Sequence, residues 1–357
     1  MMFGRLFPTK KNKWRLGLQF LPYAIRLVEA RGTEQMEVRK SATIPIDAGM
    51  IDNSRITNTE WLGFELEKKV KEWGAKGREV ILSIPLPIVV IRRISIVKVA
   101  EKDIRPLLEI EMENTLHLPF QDPIFDYIIL TEEQSAYSQV AAAAEIPTEE
   151  EKQHEKLNLL IVAAPRDVVE KYVETVRKAG LKPVAVDIEP LALHRSLIGE
   201  FPQANDVGVL QLHVTLTGID AAIFSDGVPE FVRYILLPVP FYQESHIEEV
   251  IALTDQASNH MEATGQFSGY MNDMFAEVNR IMNFYQYTMH DGKQRIEQVI
   301  VTGEFGDIRK LANYLQERLS VPVLTPQGET IQAPDPTFNL NPYRIAIGLA
   351  TKDVNNT

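Results

Sequence analysis

One three-strand pattern occurs twice in this chain, and that duplication limits the folds open to it. Residues 207–235 read VGVLQLHVTLTGIDAAIFSDGVPEFVRYI. Leu210, Leu212 and Val214 alternate with Gln211, His213 and Thr215, the period of a half-buried strand. A turn at 216–218 leads to a second apolar run, 219–224. Ser225-Asp226-Gly227 then supplies residues that tolerate positive φ in a tight hairpin. A third run, 229–237, completes an antiparallel meander. Near the N-terminus the order recurs: strand 14–20, turn 21–23, strand 24–30, turn 31–33, strand 36–46. Setting Gln19 on Gln211, an offset of 192 residues, superposes the two meanders with a small gap before the second turn. So long a period predicts two similar lobes, because solenoid repeats are much shorter. Function is expected between them.

At 357 residues the chain exceeds the ~250–300 beyond which single cores split. Apolar residues at 45% and charged residues at 24% fit a soluble globular protein. A net charge of −12 excludes nucleic acid as a bulk partner, since phosphate binding needs a basic face. The absence of cysteine excludes disulfides, thiolate catalysis and cysteine-type zinc sites, and agrees with a reducing cytosol. Seven scattered histidines show no HExxH-like spacing. No apolar run approaches the ~20 residues of a membrane span, and no signal-peptide core follows Met1. A soluble, cytoplasmic protein is expected.

Taken in order, residues 1–13 mix Phe3, Leu6 and Phe7 with Arg5, Lys10, Lys11 and Lys13. Gly4 and Pro8 interrupt them, so they read as a solubilising tail rather than a membrane or partner anchor. The first lobe is expected at 13–87 with 182–206, and includes a helix at 59–73 and a strand at 79–84. Residues 88–181 read as an inserted α+β subdomain: strand 88–97, helix 101–116, strands 125–131 and 157–163, helix 166–179. Ile104, Leu107, Leu108 and Met112 share one side of its first helix, with Pro106 expected in the first turn. Residues 132–156, rich in Ala and Glu, read as a long exposed hairpin tip. Strand 183–188 and helix 191–198 return to the first lobe.

The second lobe is expected at 207–237 with 295–357, and a helical subdomain at 238–294. In the latter, Met271, Met274, Phe275, Val278, Ile281, Met282, Tyr285 and Met289 form a stripe that reads as core. Strand 298–302, a turn at 303–306, helix 307–319, strand 321–324 and the apolar run 343–350 finish the second lobe. The polar tail 351–357 carries no amphipathic helix.

Four stretches carry a family resemblance, in family order and over nearly the whole chain. Residues 113–120 (ENTLHLPF) with Phe125-Asp126-Tyr127 resemble E-A-x-x-Y-I-P-F and a later D-[YF]. Residues 159–190 (LLIVAAPRDVVEKYVETVRKAGLKPVAVDIEP) resemble A-x-P-x-x-x-V…AG-L-x-P-x-x-V-D-x-E. Residues 276–285 (AEVNRIMNFY) resemble E-I-x-R-S-L-x-F-[FY]. Residues 298–323 with 344–350 (RIAIGLA) resemble a closing strand, helix and A-x-G-L-A. The set is similar to the PilM family, actin-like cytoplasmic proteins of type IV pilus assembly within the actin/hexokinase/Hsp70 ATPase superfamily. The implied fold is α/β: a two-lobed, duplicated, ribonuclease H-like architecture with an inserted α+β subdomain in the first lobe. FtsA proteins share the architecture but usually end in a membrane-binding amphipathic helix, which favours the pilus relatives.

In that superfamily each lobe's first hairpin carries an Asp-x-Gly pattern, whose backbone N–H groups hold nucleotide phosphates while the Asp orders water around Mg²⁺. The resemblance places Gln19 and Leu21 at those positions, then Pro22, which has no N–H. Gln211 and His213 are the second-lobe equivalents, with Thr215 and Thr217 as surviving hydroxyl donors. Gly303 and Gly306 keep the adenosine turn, with Glu304 in place of a small residue, and Glu277 and Arg280 stand as base or ribose contacts. No cofactor is expected, with Mg·ATP the ligand if the cleft functions. The implied role is a pseudo-ATPase scaffold for type IV pili, or a related competence or secretion system. Its implied partner is the N-terminal peptide of a PilN-like inner-membrane protein, held between first lobe and insertion, with Ile104, Leu107, Leu108 and Met112 as docking residues. Pilus motor or platform proteins and a homo-oligomeric ring are further implied contacts. The alternative is an active ATPase or small-molecule kinase, for which Asp187 and Asp220 are catalytic candidates by position.

Overall fold

A computed structural model of the protein describes residues 13–114, 116–131, 155–205, 208–243, 246–335 and 338–354. The expected tail at 1–13 and hairpin tip at 132–156 lie almost wholly outside the described residues. Strands β1 (Arg15–Leu21), β2 (Ala24–Gly32) and β3 (Met36–Pro45) form the first meander. A small hairpin, β4 (Ile51–Asp52) with β5 (Arg55–Ile56), and helix α1 (Thr59–Glu72) lead to β6 (Glu79–Ile84). Next come β7 (Val90–Val97), α2 (Glu101–Asn114), β8 (Pro123–Ile129), β9 (Lys156–Pro165) and α3 (Arg166–Lys178). The chain then returns through β10 (Lys182–Ile188) and α4 (Glu189–Leu197).

The second meander is β11 (Val209–Val214), β12 (Gly218–Ser225) and β13 (Val228–Leu236), its tight turn made by Asp226 and Gly227 at φ 50° and 70°. Helices α5 (Ile247–Ala252), α6 (Ala257–Ala263) and α7 (Phe267–Asn283) follow. The chain closes with β14 (Gln298–Gly303), α8 (Ile308–Gln316), β15 (Val323–Leu324), β16 (Ile331–Gln332) and α9 (Arg344–Ala350).

The two large sheets are built alike. One runs β10-β6-β1-β2-β3-β16 and the other β13-β12-β11-β14-β15. In each, a three-stranded antiparallel meander continues on one side into two parallel strands. Strands β7, β9 and β8 form a separate antiparallel sheet. Alternation along β1 sends Leu16, Leu18 and Phe20 into the core shared with α1 and α3, while Gly17 and Gln19 face the other way. Leu210, Leu212 and Val214 of β11 enter the core under α7 in the same manner. Met271, Met274, Val278, Ile281 and Tyr285 are buried there, as the stripe implied.

Three placements differ from the sequence reading. First, β16 pairs in parallel with β3 and α9 packs on β1 and β2, so part of the closing segment lies with the first sheet. Its small residues permit this: a Cβ on Gly17 would lie 1.9 Å from the Ala346 carbonyl oxygen, and one on Gly348 1.8 Å from that of Ala192 in α4. Helices α4 and α9 thus sit between the lobes, sharing a core with Ile81 of one sheet and Val209 and Ile300 of the other. Second, α3 packs on α1 and buries Val168, Val169, Tyr172 and Val176 in the first lobe's core. Third, α2 starts at Glu101, with Glu101 and Asp103 in its first turn, which puts Pro106 in the second turn.

The glycine contact between α4 and α9 makes a direct prediction. Gly348→Ala is expected to destabilise the chain by about 1–3 kcal/mol or more, because backbone must move. Gly269→Ala, exposed on α7 with open space around its Cβ position, should instead stabilise it by roughly 0.5–1 kcal/mol. Urea melts of the two variants check both signs.

Candidate functional site

The polar floor between the lobes is built by the strand faces turned away from the two cores. On β1, the Gln19 Nε2 donates to Glu189 Oε1 at the start of α4, at 3.0 Å. The Ser83 hydroxyl lies 3.5 Å from the same oxygen. On β11, Gln211 Nε2 donates to His194 Nδ1 at 2.7 Å, so the other ring nitrogen, Nε2, donates to Asn205 Oδ1 at 3.1 Å. The His194 ring stacks on Phe224 with centroids 4.0 Å apart. The His213 Nδ1–H donates to the Thr302 hydroxyl at 2.9 Å, which in turn donates to the Leu212 carbonyl at 3.0 Å. Burial pushes the His194 imidazole down to about 4. Burial, with the charges of Arg26 and Arg344, pushes that of His213 to about 3. Both rings are therefore neutral at physiological pH. Gln19 and Gln211 both hold α4, through Glu189 and His194.

Above this floor lies a buried charged group that joins the lobes. Glu304, in the turn after β14, is 1% exposed. Its Oε1 lies 2.5 Å from Arg26 Nη2 on β2 and accepts from the Tyr23 hydroxyl at 2.6 Å. The backbone N–H of Leu216, in the β11–β12 turn, is shared between the Tyr23 hydroxyl oxygen at 3.2 Å and Glu304 Oε2 at 3.3 Å. Arg26 also donates from Nη1 to the Pro342 carbonyl at 2.8 Å. Burial, then the neighbouring carboxylate, pushes the Tyr23 phenol well above its usual range, so it is a neutral donor. A carboxylate thus reaches a backbone donor in the β11–β12 hairpin. Tyr23 and Arg26 escaped the sequence reading; a lone Arg inside the apolar run 24–30 was the available signal.

The other candidates are also committed within the chain. Thr215 closes its own turn, its hydroxyl donating to the Gly218 carbonyl at 3.0 Å, and Thr217 accepts from the Tyr234 hydroxyl at 3.2 Å. Gly303 is paired with Val214 on β11, where a Cβ would meet the Val214 carbonyl oxygen at 2.3 Å. The Gly306 N–H donates to the Thr254 carbonyl at 3.1 Å. Asp307 accepts from the N–H groups of Ser258 and Asn259 at 3.3 and 3.2 Å, which fastens the helical subdomain onto this turn. Glu277 and Arg280 pair with each other on α7.

Of the two catalytic candidates, Asp187 lies between Arg195 and Lys352, the latter at 3.1 Å. Burial opposes its charge, but the two cations hold its carboxyl below the usual range. Asp220 is buried on β12, and burial, then the charges of Glu189 and Glu304, raises its carboxyl well above that range. Among the described residues no three His, Asp or Glu side chains are arranged to hold a metal ion. The polar groups expected to meet Mg·ATP are thus engaged within the chain, and the carboxyl groups of Glu189, Asp220 and Glu304 are buried beside them.

A second feature is open. A groove of about 1100 Å³ runs between α2 with the segment after it on one side and α3 with β10 on the other. Leu118, Phe120 and Met112 line the first wall, Val173, Arg177 and Ala185 the second. Among the described residues β10 is the last strand of its sheet, so its outer edge is unpaired by them. Of the four residues expected to dock a peptide, Met112 borders the groove, whereas Ile104 and Leu108 are buried and Leu107 half-buried in the core that α2 makes with β8 and β9.

The fold is similar to that of the solved PilM–PilN type IV pilus biogenesis complex, at 21% identity over 95% of this chain and 98% of that chain, with a TM-score of 0.73. It is also similar to ethanolamine utilization protein EutJ from Carboxydothermus hydrogenoformans, at 11% identity over 98% and 92% of the two chains, with a TM-score of 0.50. No curated protein matches the chain. The architecture is two-lobed, as the duplicated meander predicts, and is the actin-like fold that the family resemblance implies. Residues 17–227, more than half of the chain, match the family described as type IV pilus assembly protein PilM, and the chain belongs to that family.

Proposed function

We propose that the chain is a non-enzymatic docking platform of type IV pilus assembly. It holds an extended N-terminal segment of a PilN-like inner-membrane partner in the groove between α2 and β10. The groove carries this reading: about 1100 Å³ of partly apolar space beside a free strand edge, in a fold shared with a protein solved together with PilN. A free edge gives an extended peptide main-chain hydrogen bonds, and flanking pockets select alternate side chains. Recruitment to the cytoplasmic face of the membrane through that partner, and assembly into a ring, belong to the same reading. Among the described residues no helix is long and apolar enough to cross a membrane.

The rival reading, an ATPase or kinase, meets a charge problem. Asp220 feels the charges of Glu189 and Glu304 across the cleft, and Arg26, paired to Glu304, also acts on Glu189. A polyphosphate entering there would meet the Glu304 carboxylate, whose cation Arg26 is already paired, in a low-dielectric site where repulsion is least screened.

Binding of the partner's N-terminal peptide, followed by fluorescence anisotropy, tests the docking reading. Phe120→Arg and Leu118→Arg put a charge on the groove wall, at half-buried positions on the edge of the α2 core, and are expected to weaken binding tenfold or more, with a smaller fall in melting temperature than a fully buried site gives. Leu108→Arg, in the core beneath, should lower the melting temperature further. Undiminished binding by both groove variants would show that the peptide sits elsewhere.

The cleft makes a separate prediction about pH. Burial pushes the Glu189 carboxyl up to about 7, from an ordinary value near 4.5. The folded chain then binds this proton more tightly than the unfolded chain, so this group's contribution to stability falls as pH rises through that window. Glu189→Gln is neutral throughout. Its stability relative to wild type should therefore improve from pH ~4.5 to ~7 and level off above. Melts across pH read the difference; a flat difference would contradict the assignment.

A further inference from the structure

We infer that the Glu304 carboxylate is a tethered ligand, filling an oxyanion site that the two lobes build jointly and so holding them closed without a nucleotide. The inference rests on the reading of the cleft as shut to Mg·ATP, and is independent of the docking groove. Its donors come from separate segments of both sheets. Arg26 stands on β2 and Tyr23 in the turn before it, while Leu216 belongs to the β11–β12 turn. They converge on a side chain carried by the turn after β14, at 2.5, 2.6 and 3.3 Å. The three side chains, Arg26, Tyr23 and Glu304, are no more than 4% exposed. Water therefore screens the pair little, and an anion is required there to balance the guanidinium.

The site also offers more than a carboxylate uses. Arg26 Nε is buried and has no acceptor, although the guanidinium is a rigid fork suited to ligands with several oxygens. A two-oxygen group on a short tether satisfies the remaining donors and leaves that one spare. A small free oxyanion has the same chemistry without the tether. Acetate or formate matches the carboxylate, and phosphate brings further oxygens. Removing the side chain should thus uncover a site for either class.

Chemical rescue tests this. Glu304→Ala leaves Arg26 uncompensated and is expected to melt roughly 5–15 °C below wild type. Acetate, formate or inorganic phosphate at tens of millimolar should recover several degrees in the variant, beyond chloride at matched ionic strength, and none in wild type, whose site is filled. Recovery by acetate alone identifies a carboxylate site, and recovery by phosphate identifies a broader oxyanion site; both support the inference. No recovery by any of them, or an equal rise in wild type, overturns it. Should Glu304→Ala fail to fold, Glu304→Gln keeps the shape and removes only the charge. Melting below wild type is then expected, and melting level with wild type would mean that the carboxylate is not the counter-ion of Arg26.

Discussion

The buried pair between Arg26 and Glu304 is the contact on which the closed form of this molecule depends. Taking two charges out of water costs several kcal/mol for each ion, and only close mutual pairing with further hydrogen bonds offsets that cost. Both conditions hold here: the pair is 2.5 Å long, and the Tyr23 hydroxyl and the Leu216 N–H complete the carboxylate's partners. Because the donors lie in both lobes, separating the lobes would expose an unpaired charge on each side. The lobes are further joined through α4 and α9, where Gly348 meets Ala192 closely enough to exclude a side chain. Tyr23, Arg26 and Glu304 thus meet in the interior between the lobes.

That closure relocates the functional question to the insertion. Helix α2 spends its apolar side on β8 and β9, so it cannot present Ile104 and Leu108 to a partner. The groove instead uses the edge of α2, the irregular segment behind it and the free strand β10. Two structural economies meet there: α3 closes the first lobe's core through Val169 and Tyr172, and turns Val173 and Arg177 to the groove.

Much of this was legible in the sequence because it is periodic. Alternation marked both meanders, and the strand that carries Gln19 holds the same place in its sheet as the strand that carries Gln211. Other features carry no periodic signal. Arg26 and Glu304 are far apart in the chain, and nothing local says that they meet. The run 343–350 is apolar but for Arg344, a pattern that a buried strand and a short buried helix share, so its helical form and its place with the first sheet were not legible. The apolar side of α2 looks the same whether it covers a core or a partner. Glu304 was visible as an acid in a turn that disfavours one; its counter-ion was not.

The account's central claim is that the interlobe cleft is closed to nucleotide by the chain's own carboxylates. Isothermal titration of the wild-type protein with Mg·ATP tests it most directly. Losing two charge-assisted contacts of ~1.5–3 kcal/mol each weakens binding by two orders of magnitude or more, so no saturable heat is predicted below the millimolar range. A saturable isotherm with a micromolar Kd would contradict the claim.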